Sequence, residues 1–241
     1  TEQTESIQQL SLESVLAPYE EQIEDKEEKL PLKLTYITYS NLQMFDICPL
    51  HYKAKVIFNI PTPTAAVQSF GISLHNTLYR FYMLVQDGTF PTRDDLQDIL
   101  KKEWLSDGYE NKKHEEERFA QGIRILDKFY ETEGKDPQKP LALELPVSFI
   151  LKNGVKVFGK IDRVDKKGQG IEIIDYKTGE DNPKAEKSHK LQLAMYALAA
   201  TRVKDPVLDR KPEDITVSIQ FLEGNTKKSM SFTKKDLEKL E

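Results

Sequence analysis

Apolar side chains recur every three or four positions from Phe70 to Val85, at Ile72, Leu74, Leu78, Phe81, Tyr82 and Val85. That period marks a helix with one buried face. Two more helices are expected at 93–104 and 114–131, the second carrying Phe119, Ile123, Leu126, Phe129 and Tyr130. Upstream, Ser40 precedes apolar positions at Leu42, Phe45 and Ile47, and Pro49 follows Cys48, so a serine-capped short helix should stop or kink there. Pro61 and Pro63 mark a loop. Between Leu141 and Lys177 the period shortens. Strands are expected at 141–151, 155–164 and 171–177, the first two joined by an Asn153-Gly154 hairpin and the last two by Lys166–Gly170, which makes an antiparallel meander. Helical spacing returns over 186–203, with Leu191, Ala194, Met195, Leu198 and Ala199 on one side. Strands at 215–222 and 228–232 and a polar helical turn close the chain. This is an α+β order, with helices packed around one sheet.

Residues 1–33 do not share the pattern. They have few aromatics and a Glu-rich middle, and read as an acidic linker or tail with one short helix near Ser11–Ile23. Nine acids against three lysines give the segment −6; with −5 for the whole chain, residues 34–241 stand at +1. The body is near neutral, so attraction to a polyanion must come from a local patch or a metal. The 241 residues allow one large domain, or one with appendages, and 38% hydrophobic residues suffice for a core. No apolar run approaches the roughly 18 residues of a membrane span, and no signal segment opens the chain. Neither membrane integration nor secretion is expected. The lone Cys48 cannot form an internal disulfide or by itself hold zinc or an iron–sulfur cluster, which fits a reducing, intracellular compartment. The chain opens on Thr1 rather than methionine, as a piece of a longer protein would.

The meander carries acids that strand patterning does not require: Glu144, Asp162 and Asp175. Asp175 follows the run Ile171–Ile174, a central-strand pattern in which an acid is expensive unless paired or bound to a cation. Lys177 shares its face two residues on. The pair reads either as a metal ligand beside a group that positions water, or as a same-face ion pair. Asp162 precedes Asp175 by the thirteen positions that set two carboxylates side by side on neighbouring antiparallel strands, a hard-oxygen pair suited to Mg²⁺ or Mn²⁺. Gly159 permits a close approach or marks a bulge. His75, on the helix beginning near Gly71, could complete a metal shell or be structural. Gln192 and Tyr196 share a helix face four residues apart. Lys184, Lys187, His189 and Lys190 crowd the start of that helix, and Lys152, Lys156, Lys160, Arg163, Lys166 and Lys167 line the meander, either as a phosphate-tracking stripe or as a solvated face. No phosphate-binding P-loop is present, so this chain is not an ATP-driven motor.

Taken in order, Gly71-x-x-x-His75, Glu144, Gly159-Lys-Ile-Asp162-Arg-Val-Asp165, Asp175-Tyr-Lys177 and Gln192-x-x-x-Tyr196 resemble the PD-(D/E)XK nuclease superfamily, in its RecB-like branch. The lead-in Ser40-x-Leu-x-x-Phe45-x-x-Cys48-Pro49-x-x-Tyr52 is similar too, and the likeness spans about 36–223. It implies a restriction-endonuclease-like core, with a central mixed β-sheet, over 34–241 and a helical insertion around 86–135. It implies His75, Asp162, Asp175 and the Tyr176 carbonyl as metal ligands, Glu144 as a further acid reaching the metal through water, and Lys177 as assistant to the attacking water. Gln192, Tyr196, Arg163, Lys184, Lys187 and Lys190 would support the site and the DNA. The implied activity is Mg²⁺- or Mn²⁺-dependent hydrolysis of DNA, in the cytoplasm at the nucleoid. A helicase motor in the same chain or complex would supply the strand for repair or recombination. The runners-up are a silent DNA-binding or scaffolding module and a nucleotide phosphohydrolase. Relatives with an iron–sulfur cluster carry four cysteines, so with Cys48 alone no cluster is expected.

Overall fold

In the computed structural model, which describes residues 36–240, the period-two stretch becomes the centre of a six-stranded mixed sheet. The acidic segment 1–33 and its expected helix lie outside the described residues. The strands are β1 (Tyr36–Thr38), β2 (Ala142–Ile150), β3 (Lys156–Lys167), β4 (Gly170–Lys177), β5 (Ile215–Phe221) and β6 (Thr226–Met230). The meander forms as expected: β2 and β4 both run antiparallel to β3, with Gly154 at φ 84° in the first turn. β5 is parallel to β4 and antiparallel to β6, so the sheet is mixed and β4 is interior. That position explains the unbroken run Ile171–Ile174, since a strand covered on both faces has no solvent side to alternate with. Gly170 is needed where β4 starts, because a Cβ there would run into the Asp214 carbonyl. The short β1 was not expected; three residues carry too little period to read. It pairs in parallel with Lys156–Phe158 of β3.

The helices are α1 (Tyr39–Ile47), α2 (Pro49–Tyr52), α3 (Ala66–Gln86), α4 (Arg93–Glu103), α5 (Lys112–Phe129), α6 (Glu186–Arg202) and α7 (Lys234–Glu238). The α1 cap is Thr38, whose hydroxyl accepts from the Asn41 N–H; the expected cap, Ser40, lies inside the helix. Leu74, Leu78, Phe81, Tyr82 and Val85 of α3 pack with α4 and α5 against one face of the sheet, around Ile174 and Tyr176. Ile72 is 47% exposed and does not join them. On the other face, α6 buries Leu193, Ala194, Ala197, Leu198 and Ala200 against Ile161, Ile173 and Val217; Leu191, expected on that side, is part-exposed. No helix among the described residues is long and apolar enough to cross a membrane.

Candidate active site

Strict alternation fails at one level of β2 and β3. Leu145, Val147 and Phe149 of β2, and Val157 and Ile161 of β3, all at odd positions, pack on the α6 side; three residues from Leu145 and Ile161, Ala142 and Val164 do so at even positions. Leu143 joins the α3 side, and Arg163 reaches the Tyr82 and Tyr176 rings there. The break falls between the pairs Leu145–Ile161 and Leu143–Arg163, at Glu144 and Asp162. Glu144 takes φ 49°, a left-handed conformation that costs a non-glycine residue about 1–3 kcal/mol. At the same level β3 is bare on its other edge, since β1 pairs only to Phe158 and β4 only from Arg163.

The break gathers three donors. One ligand atom each from His75 of α3, Glu144 and Asp162 lie within 4.8 Å of one another, and His75 Nδ1 is 3.5 Å from Asp162 Oδ2. The same Asp162 oxygen accepts from the Tyr176 N–H at 2.9 Å. Asp175 stands beside this tight group rather than in it, buried, with Oδ1 accepting from Gln192 Nε2 at 2.8 Å and 3.1 Å from the Tyr196 hydroxyl. Lys177 Nζ is 2.7 Å from Asp175 Oδ2, an ion pair that takes up the second carboxylate oxygen. The Tyr196 hydroxyl is also 3.1 Å from the Lys160 carbonyl, covering the bare edge of β3.

Charge is balanced within this group. Burial pulls the His75 imidazole down, but the hydrogen bond and charge of Asp162, with Asp175 beyond it, raise it above its ordinary value. Asp162 is opposed by burial yet held below the usual carboxylate range by His75, the Tyr176 N–H and Lys177. Asp175 moves the other way: burial raises it, and Lys177 only partly offsets that and the repulsion from Asp162. The two carboxylates thus differ in their readiness to lose a proton.

His75, Glu144, Asp162, Asp175, Lys177, Gln192 and Tyr196 therefore converge, and Tyr176 follows Asp175 on the same strand. Glu144, implied by the resemblance as a further acid, lies in the tight group with His75 and Asp162, a placement that depends on a φ no residue pattern announces. Arg163 needs correction as a DNA contact. The break turns it under α3, where it is 3% exposed and bonds Asp165 (2.7–3.0 Å), the Tyr176 hydroxyl (2.8 Å) and Glu133 (3.3 Å). The meander stripe is also part-neutralised, by the Lys160–Glu144 and Lys167–Glu172 ion pairs. Lys184, Lys187 and Lys190 are exposed at the start of α6. Gly71 does not depend on its missing side chain, as a Cβ there would meet Thr178 at an ordinary 3.8 Å.

A model of the PD-(D/E)XK nuclease superfamily matches residues 36–241. No curated protein matches the chain. A solved structure, "Crystal structure of SSO0001", is 12% identical over 78% of this chain and 80% of that one, with a TM-score of 0.33, too low to bear on the fold.

Proposed function

The chain belongs to the PD-(D/E)XK nuclease superfamily, and from that membership we propose that residues 34–241 are a divalent-metal-dependent nuclease domain that hydrolyses phosphodiester bonds of DNA. The observation that carries the proposal is the break at Glu144 and Asp162: it sets two acids and His75 at one point, beside the buried Asp175. Carboxylates gathered at a partly buried point are costly to keep charged unless cations lie among them. His75, Asp162, Asp175, Glu144 and the Tyr176 carbonyl form a nitrogen-and-oxygen donor set that fits Mg²⁺ or Mn²⁺. The bound ion would neutralise charge on the phosphodiester and lower the pKa of its water. Lys177 Nζ orients that water from its place beside Asp175, while Gln192 and Tyr196 hold the other Asp175 oxygen in position. Lys184, Lys187 and Lys190 meet the phosphate backbone. The near-neutral body fits a domain whose strand is delivered by a helicase motor in repair or recombination at the nucleoid, since tethering supplies the local concentration that charge does not.

A binding module without turnover has one observation in its favour: Lys177 and Lys160 lie against Asp175 and Glu144 and offset part of their charge. End-labelled single- and double-stranded DNA, incubated with the chain with and without Mn²⁺, separates the two readings. Metal-dependent shortening of the label is expected. Binding without shortening would leave the module reading standing.

A further inference from the structure

Beside the acids, between the start of α1 and α6 and over the bare edge of β3, lies a cavity of about 380 Å³ that none of the roles above uses. Its walls include Tyr39, Phe158, Gly159, Lys160, Met195 and Tyr196. The volume falls within the roughly 300–1,000 Å³ of small-ligand sites. Gly159 helps keep it open, since a Cβ there would stand 3.3 Å from Val147 Cγ2 and 3.9 Å from the Tyr196 ring. The hydroxyls of the two tyrosines are engaged elsewhere, Tyr39 with Ser188 and Tyr196 with Lys160 and Asp175, so what they leave for a ligand is ring surface. Phe158 is 37% exposed, lies edge-on to the half-exposed Tyr36, and has Lys156 Nζ 4.6 Å from its ring centroid.

Resting on the nuclease reading, we propose that this cavity receives an unstacked nucleobase of a single DNA strand, from the nucleotide next to the phosphate held at the acids. Exposed aromatic surface flanked by lysines is the combination that binds single strands, with the rings taking bases and the ammonium groups taking phosphates. The cavity and the acids share Tyr196 and Gln192, so a strand engaged at one continues into the other. A paired base must first leave its stack and its partner, and that cost makes the cavity a selector for single strands.

The test measures binding of a labelled oligothymidine by fluorescence anisotropy, without metal, against the same backbone carrying abasic sites. Two variants are compared with the parent: Phe158→Ala, which removes ring surface, and Ser40→Trp, which places a bulky side chain on the cavity wall at an exposed position. The parent should bind the thymidine strand about tenfold more tightly, within the range of one base stacked on aromatic rings. Both variants should lose that ratio and keep their affinity for the abasic strand. Equal affinity of the parent for both strands, or variants that retain the ratio, would overturn the proposal. Cleavage in Mn²⁺ is scored separately: base discrimination without cleavage sinks the nuclease reading and leaves the cavity supported, while cleavage without discrimination does the reverse.

Discussion

Replacing Arg163 by methionine should destabilise the protein far more than the loss of a surface charge would. Arg163 is 3% exposed, and its guanidinium joins Asp165 through both carboxylate oxygens, the Tyr176 hydroxyl at 2.8 Å and the Tyr82 ring at 4.2 Å. Asp165 is itself buried, with its carboxyl raised above the usual range by that burial although Arg163 pulls it down. Removing the arginine leaves this acid with only the more distant charge of Lys227, and breaking a buried pair from one side costs about 3–5 kcal/mol. The freed carboxyl can take up a proton rather than remain charged, which holds the cost near the lower end. The Tyr176 hydroxyl also loses the Arg163 N–H that donates to it, adding about 1 kcal/mol. A total of roughly 4 kcal/mol lowers the Tm of a domain of this size by about 8–16 °C. Thermal and urea unfolding, followed by circular dichroism, measure it directly. The double variant Arg163→Met with Asp165→Leu removes both charges together and should recover at least half of the loss, because Glu133 is part-exposed and finds water. A single variant within about 1 kcal/mol of the parent would refute the reasoning.

Asp175→Ala should abolish Mn²⁺ binding in calorimetric titration while the folded spectrum is retained, since it removes a buried acid whose ionised form burial already opposes. Lys177→Ala should lose about 10²- to 10⁴-fold in cleavage rate but keep Mn²⁺ and DNA affinity, as expected for a group acting on the water rather than on binding. In metal-free protein, the raised His75 contributes stability that is full below its ordinary 6.5 and is lost as pH rises through its folded value, and His75→Gln should flatten that slope in urea titrations. Glu144→Gly should hold or raise Tm while weakening metal binding, whereas Glu144→Val, strained at φ 49°, should lower Tm by more than about 1 kcal/mol in equivalent stability.

The elements of the fold were legible where period and turn chemistry agree. Asn153-Gly154 set the β2–β3 register, and the apolar spacing of Leu74, Leu78, Phe81 and Val85 located α3 with its buried face. The site acids were legible because an acid after Ile171–Ile174 has no place in an interior strand without a partner. Arg163 was misplaced for the opposite reason. Its charge and position group it with the meander lysines, and counting by two along the strand does not find its side, because the count fails between Ile161 and Val164. No glycine or asparagine stands at Glu144 to announce the left-handed residue, so the break is invisible in residue type.

The same break explains why stability and metal binding should part company. Arg163 and Asp162 are consecutive on β3 and the break turns both toward the α3 side, one anchored among Asp165, Tyr176 and Glu133, the other beside His75. Tyr176 connects them, since its hydroxyl accepts from Arg163 while its N–H bonds Asp162. The guanidinium therefore fixes the backbone on which Asp162 depends, against the cost of the Glu144 conformation opposite. In the apolar double variant, hydrophobic packing can replace the buried ion pair, but nothing replaces the guanidinium's hold on the Tyr176 ring. At least half of the lost Tm should then return while Mn²⁺ affinity stays at least tenfold below the parent's, a loss of about 1.4 kcal/mol. Calorimetric titration of the refolded double variant measures that split, and full recovery of both quantities would show that the network serves the fold alone.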